Sequence, residues 1–174
     1  MVIDQKLRDK NLHLKAKAEK VKVIITDVDG VLTDTGIYYG QNGEAYKRFS
    51  VRDGMGVERL RKYSGIETII ITGENSGTVK SRAEKLKINE YYLGVQKKEE
   101  LLDTIKRKSG FEAENIAYIG DDTNDFEIMK LVGFTATPSD GMSFIKDIAD
   151  YICETKAGYG AFREFAELII SLKQ

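Results

Sequence analysis

Apolar positions along the chain fall into two patterns. Short β-branched runs read as buried strands at Val21–Asp27 (VKVIITD), Ile66–Gly73 (IETIIITG) and Asn115–Asp122 (NIAYIGDD). Weaker strands are expected at Glu90–Leu93, Phe134–Ala136 and Tyr151–Ile152. Between them apolar residues recur at helical spacing. Gly54–Tyr63 places Met55, Val57 and Leu60 near one face, and Lys97–Lys108 does so with Leu101, Leu102 and Ile105. Helices are also expected over Asn75–Leu86, capped by Asn75 or Ser76, and over Asn124–Val132, Ser143–Ile148 and Ala161–Leu172. The stretch from about Asp4 to Lys20 lacks Gly and Pro and reads as one polar helix. Strand and helix in repetition predict an α/β fold, a doubly wound parallel sheet covered on both faces. The boundaries are a helical extension over residues 1–20 and one domain over residues 21–174. One segment breaks the alternation. Gly36–Phe49 carries Tyr/Phe-bearing arms around Gln41-Asn42-Gly43, a hairpin signal projecting from the end of the first strand.

Composition narrows the function classes. With 27 Lys+Arg against 28 Asp+Glu, the formal net charge is -1, so no basic excess marks a nucleic-acid or lipid partner. No apolar run approaches the ~18 residues of a membrane span, and the charged first twenty residues are not a secretory signal, so the default expectation is a cytoplasmic protein without membrane partners. A single histidine, His13, cannot build a multi-histidine zinc site. A single cysteine, Cys153, cannot form an internal disulfide. Chemistry is therefore expected from carboxylates.

Four polar groups follow strands. Asp27-Val28-Asp29-Gly30 closes the first strand and Thr72-Gly73 the second. Lys98 opens a helix after Tyr91–Gly94, and Gly120-Asp121-Asp122, with Asp125, closes the NIAYI strand. Each alone is an ordinary turn, loop start or solvated lysine. In a doubly wound sheet all four converge on one crevice at the carboxyl ends of the strands. Acidic clusters brought together there repel one another, and a hard cation such as Mg²⁺ with oxygen ligands relieves the repulsion.

This order resembles the haloacid dehalogenase-like phosphohydrolases, whose motifs run DxD, Ser/Thr, Lys, GDxxxD. The resemblance implies Asp27 as nucleophile, forming an aspartyl-phosphate, and Asp29 as general acid and then base. It implies Mg²⁺ held by Asp27, Asp121 and the backbone carbonyl of Asp29, with Asp125 orienting the metal shell. Thr72 and Lys98 would bind the other phosphoryl oxygens. The second Asp of DxD favours phosphate esters over haloacids.

Only the hairpin and one helix fit between Gly30 and Thr72, and one helix and a short strand between Thr72 and Lys98, so no cap domain is expected. An open crevice needs another wall, which predicts a homo-oligomer. Tyr38, Tyr39 and Tyr46 of the hairpin are the expected contact. DVDGVLTDTGIYYGQNGE, FSVRDGMGVERL, GDDTND and GYGAFRE resemble, in particular, the capless 3-deoxy-D-manno-octulosonate 8-phosphate phosphatases. That likeness implies a homotetramer acting on a sugar-acid phosphate, each site closed by neighbouring hairpins and tails. Arg52, Lys156 and Arg163 would meet the sugar acid's carboxylate, with Gly30, Gly73 and Glu74 lining the substrate. Glu74, Arg82–Lys85 (RAEK) and the FREF of the tail instead resemble relatives acting on nine-carbon sialic-acid-type 9-phosphates, whereas VRDG at Val51–Gly54 favours the octulosonate group. Both substrates remain open at this stage. Two non-hydrolytic readings also stand as alternatives. In a receiver-type phospho-acceptor domain the phosphorylated Asp ends the third strand, an order this chain lacks. In a regulatory phosphatase-like domain Asp29 would not need to be intact.

Overall fold

A computed structural model describes residues 3–174. The N-terminal stretch forms α1 (Gln5–Lys10), a 3₁₀ turn (Leu12–Leu14) and α2 (Lys15–Lys20) rather than one helix. The break lies at Asn11, whose backbone leaves the helical region and whose side chain donates back to the Leu7 carbonyl at 2.8 Å. Both pieces lie against the C-terminal helix. The Lys173 ammonium donates to the carbonyls of Ala18, Glu19 and Val21, the last residues of α2 and the one after it.

The chain continues through β1 (Val23–Thr26), β2 (Thr33–Gly40), β3 (Gly43–Phe49), α3 (Val51–Ser64), β4 (Glu67–Ile71), α4 (Gly77–Lys85) and β5 (Glu90–Tyr92). A 3₁₀ turn (Lys98–Leu101) leads into α5 (Leu102–Ser109). Then come β6 (Ile116–Ile119), α6 (Phe126–Met129), β7 (Phe134–Thr137), α7 (Ser143–Lys146), β8 (Tyr151–Ile152) and α8 (Ala161–Leu172). Six strands pair in parallel in the order β5-β4-β1-β6-β7-β8. The chain runs outward from β1 through β4 to β5, then returns to the other side of β1 with β6. The strand order therefore reverses between β1 and β6, where ligands bind in open α/β sheets.

Every residue of β1, β6 and β7 is buried, as expected of strands covered on both faces. Alternate side chains feed two cores. Ile24, Ile70 and Phe134 join Val57, Leu60, Val79 and the α8 residues Phe162 and Phe165. Ile25, Ile69 and Tyr118 join Leu102, Ile105, Ile128 and Ile145 on the other face. Eight of the twelve residues of helix α8 are apolar, and nine of the twelve are buried. The expected helix over Asn124–Val132 shortens to a 3₁₀ turn (Thr123–Asp125) followed by α6, because Asp122 and Asp125 cap each other there.

Strands β2 and β3 form a separate antiparallel hairpin closed by Gln41 and Asn42, with Gly40 paired to Gly43, so the tight turn sits one residue before Asn-Gly. Between β1 and β4 lie only this hairpin and α3, and between β4 and Lys98 only α4 and β5. Among the described residues no cap domain is inserted. Nor is any described helix long and apolar enough to cross a membrane.

Candidate active site

The loops leaving β1, β4 and β6 form one crevice lined by Asp27, Asp29, Thr35, Thr72, Gly73, Glu74, Asp121, Asp122, Thr123 and Asn124. Its floor is built by adjacent strands. Asp27 extends β1, its N–H donating to the Ile119 carbonyl of β6 at 3.1 Å. The chain turns at once at Gly30, with φ 90°. A Cβ there would stand 1.9 Å from Asp121 Oδ2, so glycine is required for the two acidic loops to close on each other.

Lys98 ties the floor together. Its side chain is fully buried, and its ammonium donates to Asp27 Oδ1 and Asp125 Oδ1, each at 2.6 Å. Burial works against that charge, but the two carboxylates outweigh it and hold Lys98 above the ordinary lysine pKa. Asp125 is completely engaged. Oδ1 also accepts from the Tyr118 hydroxyl at 2.5 Å, and Oδ2 accepts the Asp121 and Asp122 amides at 2.9 and 3.3 Å. Tyr118, buried in β6, is kept protonated by burial and the nearby carboxylates, which push its pKa well up.

The remaining oxygens fit a cation. One carboxylate oxygen each from Asp27, Asp121 and Asp125 lie within 4.8 Å of one another, and Asp121 Oδ1 is buried with no protein partner. Burial and then repulsion by Asp27 and Asp125 push Asp121 up to about 8. Burial and Asp125 push Asp27 up to about 7 despite Lys98. Such a set favours a hard divalent ion such as magnesium. Because Asp125 is saturated by its donors, Asp27 and Asp121 are the direct ligands available and Asp125 fixes their setting. Asp29 Oδ1 is bound to Lys47 of the hairpin and its carboxylate is not part of this cluster, so Asp29 would meet an ion through its backbone carbonyl.

Thr72 is buried at the end of β4, where its hydroxyl accepts the Glu74 amide at 3.2 Å. Gly73 and Glu74 continue along the crevice wall. Three other predicted residues lie elsewhere. Arg52 is exposed at the start of α3. It shares a hollow with Tyr159, Gly160 and Arg163. Arg163 is paired with Glu167 at 2.7 Å, and its amide donates to Asp53. Lys156 is exposed and lines neither cavity. The tail is stitched to the hairpin base of its own chain. Arg48 binds Asp34 and the Gly158 carbonyl and lies 4.3 Å over the Tyr159 ring. Gly158 has φ 67°, and a Cβ there would meet Asp34 N at 2.5 Å.

Two residues escaped the sequence reading. Tyr118 sits in a strand whose apolar pattern hides its hydroxyl. Lys47, one of many lysines in the chain, gives no spacing signal, yet its side chain is buried against Asp29 and Glu44.

Sheet topology and the carboxylate–lysine cluster at its switch point define a hydrolase of the haloacid dehalogenase-like class. A family profile described as haloacid dehalogenase-like hydrolase matches residues 91–164. The 3-deoxy-D-manno-octulosonate 8-phosphate phosphatase KdsC of Haemophilus influenzae is 37% identical over 90% of this chain and 87% of its own. That of Escherichia coli K12 is 40% identical over 89% and 82%. Among solved structures, the 3-deoxy-D-manno-octulosonate 8-phosphate phosphatase of Moraxella catarrhalis, in complex with magnesium ion, phosphate ion and KDO, superposes with a TM-score of 0.89 at 36% identity, covering 93% of this chain and 92% of that one. The chain belongs to this 3-deoxy-D-manno-octulosonate 8-phosphate phosphatase family.

Proposed function

We propose that the chain hydrolyses 3-deoxy-D-manno-octulosonate 8-phosphate to the free sugar acid and phosphate through an aspartyl-phosphate on Asp27. The observation that carries this reading is the buried Lys98 bridging Asp27 and Asp125 beside the unpartnered Asp121, a phosphoryl-transfer floor assembled before substrate arrives. Asp27 Oδ1 is fixed by Lys98, which leaves Oδ2 for in-line attack on phosphorus. Asp29 stands two residues on at the crevice edge. It gives a proton to the departing sugar alkoxide, then takes one from the water that opens the phospho-aspartate. Thr72 receives a non-bridging oxygen, and the buried Lys98 offsets charge from beneath the floor through Asp27. Magnesium, held by Asp27, Asp121 and the Asp29 carbonyl, supplies charge neutralisation for the transferring phosphoryl group.

The proposed assembly is a homotetramer. Five carboxylates and no cationic side chain line the crevice, so a substrate bearing its own carboxylate needs a cation from outside it. Tyr38, Tyr39 and Tyr46 are 58%, 75% and 71% exposed on the hairpin and offer the aromatic contact for a neighbour. The proposed location is the cytoplasm; the one cysteine, Cys153, is buried and unpaired, which suits a reducing compartment.

Glu74 on the crevice wall favours the second reading, a nine-carbon sialic-acid-type 9-phosphate. Arg82 does not support it, since its guanidinium donates to the Ser50 carbonyl at 2.7 Å and lies over Phe49. Steady-state turnover of both substrates with Mg²⁺ decides the matter. The expected result is a higher kcat/KM for octulosonate 8-phosphate, and a higher value for the nine-carbon substrate overturns the choice.

A further inference from the structure

The Asp29 carboxylate is held asymmetrically. Oδ1 accepts the Lys47 ammonium at 2.6 Å and the Thr33 hydroxyl at 3.4 Å. Oδ2 is buried and has no protein partner. A buried acceptor without a donor is costly, and native chains leave few of them. Here it sits on the residue that lines the crevice beside Asp27.

Lys47 is itself locked. Its side chain has no exposed surface, and its second partner is Glu44 Oε2 at 3.2 Å. Glu44 Oε1 accepts the hydroxyls of Ser76 at 2.5 Å and Thr78 at 3.0 Å. Ser76 caps α4, the helix that follows the Thr72–Glu74 loop. A chain of polar contacts thus runs from α4 through Glu44 and Lys47 of β3 to one oxygen of Asp29. A lysine that only pinned the hairpin would need neither a carboxylate from the β1 loop nor an orphaned oxygen beyond it. Replacing such a buried ion pair by apolar packing is often neutral for stability, so stability alone does not account for it.

We infer that Lys47 is a positioning residue for the hydrolysis. Through its bond to Oδ1 it fixes the position and rotation of the Asp29 carboxyl group at the crevice edge, where that group meets the leaving-group oxygen, and Glu44 keeps Lys47 in that pose. The inference rests on the proposed roles of Asp27 and Asp29. Lys47 exchanges no proton with substrate in this account. It sets the distance and angle over which the Asp29 carboxyl group delivers one to the departing alkoxide as the phosphorus–oxygen bond breaks.

The test uses two leaving groups on one preparation. An alkoxide departs only with protonation, whereas p-nitrophenolate departs without help. Rapid-quench measurement of the first phosphoryl transfer to Asp27 is made on octulosonate 8-phosphate and on p-nitrophenyl phosphate, for wild type, Lys47→Met, Lys47→Arg and Glu44→Gln. The expected result for Lys47→Met is a fall of about 10²-fold on the sugar phosphate, with less than about threefold on the nitrophenyl ester. Lys47→Arg is expected to recover most of the loss, and Glu44→Gln to show a smaller fall with the same substrate bias. The ratio between substrates cancels any unfolded fraction of a variant. Equal falls on both substrates, or no fall on either, overturn the inference. Loss of both transfers in the wild type overturns instead the phosphatase reading beneath it.

Discussion

The crevice at the switch point and the hollow beside the tail are built differently. In the crevice the groups around the nucleophile are fixed by one another within the chain. Lys98 spans two carboxylates, Asp125 has donors on both oxygens, and Asp29 is clamped from the hairpin. In the hollow Arg52 is exposed, and Arg163 is already paired with Glu167. The hollow's wall also carries Asp4, Glu154 and Glu164, so its charges are mixed rather than aimed at one ligand. Within one chain the crevice thus gathers the carboxylates and the lysine of the proposed chemistry, but its wall carries no cation for a sugar acid. The difference follows from what each task demands. Phosphoryl transfer depends on sub-ångström placement, which rigid strand ends supply, whereas selection of a remote carboxylate would tolerate a wall contributed by a neighbour in the proposed assembly.

The largest effect that tests this division is loss of the nucleophile. Asp27→Asn keeps the volume and one acceptor for Lys98 but cannot form the acyl phosphate. Turnover of any phosphate ester is expected to fall by at least about 10⁴-fold with the circular dichroism spectrum unchanged. Retained turnover would falsify the assignment and move the chemistry out of the crevice.

The second test separates the two regions by metal and pH. Asp121 at about 8 and Asp27 at about 7 both stand above the free carboxylate value, so the folded chain holds protons that the unfolded chain releases. A raised carboxyl pKa stabilises the fold at low pH and loses that contribution as pH rises from about 4 towards 8. Burial pushes Asp53, near the hollow, up to about 6, and it acts in the same direction over a narrower window. Metal-free protein is therefore expected to melt lower at pH 8.5 than at pH 6. Saturating Mg²⁺ needs the ionised crevice, so it is expected to raise Tm by about 5–10 °C at pH 8.5 and by much less at pH 6. Melting curves with and without Mg²⁺ at both pH values measure this. A magnesium effect independent of pH would place the ion outside the Asp27–Asp121 pair.

How much of each region was legible in the sequence follows the same line. The strand ends were readable because VKVIITD, IETIIITG and NIAYIGDD each end in a polar group, and parallel topology carries those ends to one edge. The hairpin was readable from its aromatic arms and turn residues, though pairing of Gly40 with Gly43 shifted the tight turn by one residue. Contacts that depend on side-chain reach across the fold were not readable. Lys47 lies 18 residues from Asp29 on another element, and Tyr118 looked like any other member of an apolar run. Local competition also escaped the pattern. Asn11 turned the expected N-terminal helix into two, and the Asp122–Asp125 caps shortened the helix expected from Asn124. Arg52, Lys156 and Arg163 came from the family resemblance alone, and their placement outside the crevice depends on packing of the tail that no spacing encodes.

The smallest expected effect concerns the hollow itself. Arg52 stands at the start of α3, beside Gly160, where a Cβ would come within 3.5 Å of the arginine's Cδ. Its aliphatic stem therefore lies against the tail on an exposed face, where the proposed assembly would bring a neighbouring subunit's substrate carboxylate. Arg163 is closer to neutralised, since Glu167 holds its Nε. Arg52→Ala is expected to raise KM for octulosonate 8-phosphate about tenfold with kcat nearly unchanged, a loss of about 1.4 kcal/mol of uniform binding. Arg163→Ala is expected to do less, because its charge is already offset by Glu167, which Arg59 goes on holding in the variant. Neither change should alter p-nitrophenyl phosphate kinetics, since that ester has no carboxylate to recognise. A fall in nitrophenyl ester turnover with Arg52→Ala would mean that the hollow supports the chemistry as well as the selection. The division between the two regions would then fail at its weaker side.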